Sequence, residues 1–212
     1  MAAKPHLLVI GLTGSIGMGK SATADFFRQQ GVAVFNSDAE VHRLYAGEAA
    51  PLVEAAFPGS VVSGTVDRKL LAAQLISDPA GFHRLEAIVH PLVKASQGRF
   101  LTDQATAGAA LAVLEIPLLF EGGSDDKVDV VVVVSAPAEV QRQRVLAREG
   151  MTAAKLAAIL ARQLGDAEQR RRADFIVDTS GSLETTAGQV ADIVSQLRGR
   201  HGSAFERHWR CT

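Results

Sequence analysis

Residues 7–31 read LLVIGLTGSIGMGKSATADFFRQQG, and they divide into three parts. The apolar run at residues 7–12 has the length of a strand. Gly14 to Ser21 then matches G-x-x-x-x-G-K-[ST]. The segment that follows, SATADFFRQQG, has helical spacing of apolar residues, with Gly31 as its stop. Strand, glycine-rich loop and helix in that order is the context in which such a loop binds phosphate. Glycines let backbone amides turn inward, and the helix N-terminus adds partial positive charge. Lys20 reaches the β- and γ-phosphates, and the Ser21 hydroxyl coordinates Mg²⁺. The expected triphosphate-binding residues are therefore Gly14, Ser15, Ile16, Gly17, Met18, Gly19, Lys20 and Ser21.

Beyond the loop, strand-length apolar runs alternate with helical segments, which predicts an α/β fold with a parallel sheet. Candidate strands lie at residues 7–12, 32–36, 110–115, 129–134 and 175–178. The gap between the second and third is too long for one crossover helix. It reads as short helices broken at Pro51, Pro58, Pro79 and Pro91, forming an insertion. The 212-residue length agrees with one domain plus an insertion. Pro91 is expected to open a new helix, leaving His90 at a helix junction.

Composition narrows the function classes. The chain is 47% hydrophobic and 21% charged, with net charge −1, which opposes a surface built wholly for nucleic acid or anionic lipid. That balance is an average. Residues 140–172 hold eight basic and three acidic residues, a local charge of +5, so the remainder carries −6. One cysteine, Cys211, excludes an intramolecular disulfide and a cysteine zinc site, and fits a reducing compartment. The start lacks the pattern of a signal peptide, and VDVVVVVSA is too short to span a membrane. A cytoplasmic protein without membrane or nucleic-acid partners is expected, as a monomer or weak homo-oligomer. The only asparagine is Asn36, followed by Ser37, so the Asn-Lys-x-Asp motif of a guanine-specific switch protein is missing.

Several residues have the chemistry of an acceptor site. Asp38 follows the second strand, at the carboxyl end where parallel sheets bind ligands. It either takes the proton of an attacking hydroxyl or caps the helix AEVHRLY, and position alone leaves both open. Glu115 closes the third strand, where a carboxylate can hold a metal-bound water or stand as a simple strand-end acid. Arg144 and Arg148 are four apart and are expected to share one helix face, converging on a polyphosphate; a solvated or RNA-binding basic face is the alternative. His90 fits either packing or substrate contact.

Together these segments form a recognisable set. GLTGSIGMGKS, GVAVFNSDAEVHRLY, VDRKLLAAQLISDP, LEAIVHPLV, EIPLLFEGG, VQRQRVLARE and RRADFIVDTSGS resemble, in order and spacing, the dephospho-CoA kinase family over about residues 7–197. The resemblance implies transfer of the γ-phosphoryl group of ATP to the ribose 3′-hydroxyl of dephospho-CoA, with Mg²⁺. It also implies a P-loop NTPase-type parallel five-stranded sheet with helices on both faces, a helical substrate-binding insertion and a helical lid. Their expected boundaries are core at 1–38, 106–139 and 173–200, insertion at 39–105, lid at 140–172, and a partly disordered tail at 201–212. Carried over by position, Asp38 is the candidate base, and Lys20, Arg144 and Arg148 join it in catalysis; Glu115, from its strand-end place alone, stays a candidate metal contact through water beside the reading as a simple strand-end acid. Arg68, His90, Pro117, Leu118 and Glu121 fall with Asp38 on the acceptor side. Two positions depart from the family pattern: Asn36 stands where an aspartate is common, and Asp178 where an asparagine is common near the adenine. The rival readings are a kinase of another small hydroxyl metabolite, of nucleoside or shikimate type, and a nucleotide-sensing RNA-binding regulator.

Overall fold

Valine-rich runs build the sheet at the centre of the computed structural model, which describes residues 6–210 apart from the side chains of residues 77 and 79. Cys211, Thr212 and residues 1–5 of the N-terminal segment lie outside the described residues. Strands β1 (Leu8–Thr13), β2 (Ala33–Asn36), β5 (Leu111–Glu115), β6 (Val130–Ser135) and β7 (Phe175–Asp178) form a five-stranded parallel sheet in the order β2-β5-β1-β6-β7. Each expected strand is present with its ends moved by no more than one residue. Every residue of β1, β5 and β6 is buried, as the uninterrupted apolar runs require, whereas the edge strands β2 and β7 are only partly covered. Helix α1 (Lys20–Gln29) leads from β1 toward β2 on one side, and β6 lies on the other. The loop after β1 thus leaves the sheet where strand order reverses, the usual position of a ligand crevice.

Helix α9 (Leu183–Leu197) shows how the covering layer is held. Ser182 Oγ accepts the Thr185 amide at its N-terminus, and Thr186, Val190, Ile193, Val194 and Leu197 turn inward at helical spacing. Each fully buried aliphatic side chain there contributes about 1.5–3 kcal/mol.

The chain divides into two compact units. The first holds the described residues up to Phe35 and those from Leu101 onward, and the second is Asn36–Phe100. In the second, α2 (Ser37–Tyr45), α3 (Ala50–Ala56), α4 (Arg68–Ser77) and the early turns of α5 (Pro79–Thr106) surround Leu44, Val53, Phe57, Leu71 and Leu75. A hairpin of β3 (Val61–Val62) and β4 (Thr65–Val66) also belongs here, turning on Ser63 and Gly64, both with positive φ. The signal for it is VVSGTV, two β-branched pairs around a Ser-Gly turn.

Two expectations are corrected. Pro91 does not open a helix, because α5 runs unbroken through it and places His90 mid-helix and exposed. An interior proline costs about 3 kcal/mol. Leu85, Ile88, Leu92 and Val93, packed on the second core from both sides of Pro91, offset that cost. The tail is also ordered through residue 210. Asp129 Oδ1 accepts the amides of Ser203 and Ala204 at 2.7 and 2.8 Å, while its Oδ2 accepts Val9 N–H. Phe205 and Trp209 are buried, and Trp209 Nε1 donates to the Lys127 carbonyl at 2.7 Å. Two aromatics isolated in sequence thus belong to a short helical turn anchored just ahead of the amino end of β6.

Candidate active site

The loop from Gly14 to Ser21 adopts a conformation that only its glycines permit. Gly17 has φ 78° and Gly19 φ 93°, both left-handed, and a Cβ on Gly14 would sit 2.5 Å from the Val134 carbonyl. Gly19 caps α1 with no side-chain acceptor over the helix N-terminus, so the helix presents bare amide donors beside Lys20 and Ser21. Lys20 is half-buried and Ser21 exposed. Such an end suits an anion.

Distant side chains hold this loop in place. Thr179 Oγ1 donates to the Met18 carbonyl at 2.7 Å, and Gln169 Nε2 donates to Ser15 Oγ at 3.0 Å. Gln141 Nε2 donates to the Ile16 carbonyl at 2.8 Å, and Gln163 Oε1 accepts the Ile16 amide at 3.1 Å. Gln141 lies on α6 (Ala138–Leu146), and Gln169 on α8 (Asp166–Arg172). None of these four was expected from the sequence. Beside the loop is a cavity of about 210 Å³ lined by Met18, Pro137, Gln141, Asp166, Arg170 and Asp178 among others. Asp178 Oδ1 accepts the Ser180 amide at 2.8 Å, which holds its carboxyl below the usual aspartate range.

The basic segment is partly neutralised inside the fold. Arg144 donates to Thr179 Oγ1 and to the Thr179 carbonyl at 2.9 and 2.6 Å, bracing the residue that braces Met18. Arg172 pairs with Asp125 at 2.7 Å and stacks over Phe120, and Arg171 pairs with Glu168. Arg148 is exposed and lies two residues beyond the end of α6, so Arg144 and Arg148 do not share a helix face. The helix stops at Leu146 ahead of the turn through Gly150, whose φ is 72°.

On the segment after β5, Pro117 is half-buried, Leu118 exposed and Glu121 exposed. Leu118 has φ 55°, a backbone state that costs a leucine about 1–2 kcal/mol and marks a position worth keeping strained. Glu121 Oε1 accepts the Leu164 amide. Asp38, Arg68 and His90 belong to the second unit. Asp38 is exposed in the first turn of α2 and does not cap it. Asn36 Oδ1 does so by accepting the Ala39 amide at 2.7 Å, which leaves the Asp38 carboxylate out of the cap. Arg68 Nη1 lies 3.1 Å from His42 Nε2, one helical turn beyond Asp38 on α2.

Two protein oxygens of the kind a divalent cation takes are the Ser21 hydroxyl and the Glu115 carboxylate, which is buried at the end of β5 in register with Leu12. Among the described residues there is no cluster of three or more His, Cys, Asp or Glu groups. One hydroxyl and one carboxylate suit Mg²⁺ bound chiefly through nucleotide phosphates and water, so the residues present fit it.

A parallel sheet whose phosphate loop leaves the central strand, with Lys-Ser opening the next helix, defines a phosphate-loop kinase fold. The profile of the dephospho-CoA kinase family matches residues 8–185. The dephospho-CoA kinase of Mesorhizobium japonicum is 61% identical over 197 residues, covering 93% of this chain and all of that one. A solved structure from Thermus thermophilus is 35% identical, with TM-score 0.77 over 92% of this chain and all of that one. The dephospho-CoA kinase structure from Campylobacter jejuni, 23% identical, shares the fold with TM-score 0.69 over 90% and 97% of the two chains. This chain belongs to the dephospho-CoA kinase family.

Proposed function

We propose that this chain transfers the γ-phosphoryl group of ATP to the ribose 3′-hydroxyl of dephospho-CoA, giving CoA and ADP. Family membership across residues 8–185 carries the reading, and the loop geometry supplies its chemistry. Lys20, the loop amides of Ser15, Gly17 and Gly19 and the N-terminus of α1 hold the phosphates, and the cavity beside Met18 takes the base. Asp38 accepts the proton of the 3′-hydroxyl as its oxygen attacks phosphorus and the bond to the β-phosphate oxygen breaks. Arg148 approaches the transferring group from residues 140–172, while Arg144 acts through Thr179 on the loop. Arg68, His90, Pro117, Leu118 and Glu121 bind the acceptor. Mg²⁺, held by Ser21 and through water by Glu115, would neutralise charge on the β- and γ-phosphates.

No helix among the described residues is long and apolar enough to cross a membrane. With small water-soluble substrates, we place the reaction in the cytoplasm. The test is ADP release and product mass with dephospho-CoA, nucleosides and shikimate as acceptors. A mass gain of one phosphoryl group on dephospho-CoA alone is expected. ADP release that ignores dephospho-CoA would overturn the reading.

A further inference from the structure

One residue of the phosphate loop, Ile16, is gripped through both of its backbone groups by side chains distant in sequence. The Ile16 amide donates to Gln163 Oε1 at 3.1 Å, and the Ile16 carbonyl accepts from Gln141 Nε2 at 2.8 Å. Gln163 sits in the turn between α7 (Ala153–Leu160) and α8. That turn is itself fastened. The Leu164 amide donates to Glu121 Oε1, and the Leu164 carbonyl accepts from Gln169 Nε2 at 2.8 Å. The same Gln169 nitrogen donates to Ser15 Oγ, so the Leu164 carbonyl dictates which end of the Gln169 amide faces the loop. Ser15 and Ile16, adjacent in the loop, are thus tied to one turn by two glutamines.

We propose that Gln163 is a positioning residue for phosphoryl transfer: its bond to the Ile16 amide latches the α7–α8 turn onto the phosphate loop, so that the triphosphate reacts with the acceptor hydroxyl and not with water. Water competes with the acceptor for the same phosphorus atom, and a kinase gains specificity by excluding it. A carboxamide is suited to this place. It accepts the amide hydrogen without bringing negative charge beside the phosphates, which a glutamate would do. A single neutral hydrogen bond to a half-buried side chain is also weak enough to open in every catalytic cycle. Gln141 holds the next peptide of the loop through the Ile16 carbonyl, so Ile16 is fixed on both sides of its Cα and its amide stays aimed at Gln163.

The experiment measures ADP and CoA formed in the same reaction, and ADP formed without acceptor, for the wild type, Gln163→Met and Gln163→Glu. Methionine keeps the length and removes the acceptor atom; glutamate keeps the acceptor and adds charge. Gln163→Met should lower kcat for transfer about two- to tenfold, the span of one neutral hydrogen bond, and raise ADP formed per CoA above one, with the KM for ATP changed less than about twofold. Gln163→Glu should raise the KM for ATP yet return the ADP-to-CoA ratio toward one at saturating ATP. The proposal is overturned if Gln163→Met stays fully coupled. It is equally overturned if both variants lose kcat and melting temperature together, since a merely structural contact would do that. This inference rests on the kinase reading. A wild-type chain that forms no CoA sinks both, whereas a coupled Gln163→Met sinks this one alone.

Discussion

Gly17 is a loop position where an added methyl group meets a buried side chain. Its φ is 78°, and a Cβ there would overlap Val145 Cγ2 and sit 3.3 Å from the Gln141 carbonyl. Two costs arise in Gly17→Ala. Holding alanine in the left-handed region costs about 1–2 kcal/mol, and forcing a methyl against fully buried Val145 costs about 1–3 kcal/mol. The variant should therefore lose about 2–5 kcal/mol, against total stabilities of about 5–15 kcal/mol for a domain. The two costs can be separated. Val145→Ala alone removes two buried methyl groups, about 1.6 kcal/mol plus a cavity. In the double variant the new methyl enters the vacated space, so the double should be more stable than the sum of the singles by about 1–3 kcal/mol. The backbone cost should remain. Urea unfolding of the four proteins gives these differences from midpoints and slopes. Repeating it with ATP tests function, because ligand at about 100 times its Kd stabilises by about 2.7 kcal/mol and Gly17→Ala should lose most of that gain. A Gly17→Ala protein within about 0.5 kcal/mol of wild type would refute the strain argument, and strict additivity with Val145→Ala would refute the overlap.

The remaining expectations concern the acceptor side, the tail and acid stability. Asp38→Asn should lower kcat about 10²–10⁴-fold while calorimetric ATP affinity stays near wild type; an unchanged kcat removes Asp38 from the base role. In Gly202→Ala the new Cβ would collide with the Leu7 carbonyl and lie 2.6 Å from Asp129 Oδ2, so the tail should detach. Emission of Trp209, the sole tryptophan, should shift to the red, and stability should fall by about 3–5 kcal/mol, as when a large aromatic site is emptied. An unshifted spectrum would show the collision to be absorbed locally. Arg43 grips Glu40 through both carboxylate oxygens at 2.7–3.1 Å, which holds the Glu40 carboxyl below the usual glutamate range. A depressed folded value means that this contribution is complete above the unfolded value and is lost as pH falls through the folded one. Glu40→Gln should therefore flatten the loss of stability between about pH 5 and pH 3, and an unchanged acid limb would show the pair to be energetically silent.

What could be read from the sequence and what could not differ in range along the chain. The strands were legible because β1, β5 and β6 are buried on both faces, so each residue's own hydrophobicity reports its place. The phosphate loop was legible because all its special chemistry lies within eight consecutive residues. The Asn36 cap was missed although it is local, because asparagine and aspartate cap equally well and the pattern does not choose between positions 36 and 38. Pro91 misled for a related reason. A proline's local cost is fixed, but the apolar contacts of α5 that exceed it are set by the second core and leave no mark at the proline itself. The loop's supports are the extreme case. Gln141, Gln163, Gln169 and Thr179 reach the loop across 125 to 161 residues. Glutamine carries no period, charge or backbone preference that distinguishes a loop support from a solvated side chain. Only the pairing of sheet neighbours β1, β6 and β7 brings these groups within hydrogen-bond distance. Arg144 shows the consequence for function: its spacing from Arg148 suggested two guanidiniums on one ligand, yet its hydrogen bonds go to Thr179 and thence to Met18 of the loop. A charge count therefore measures how many cations a segment can offer a phosphate, while the hydrogen bonds of the fold decide how many are already committed to holding the site.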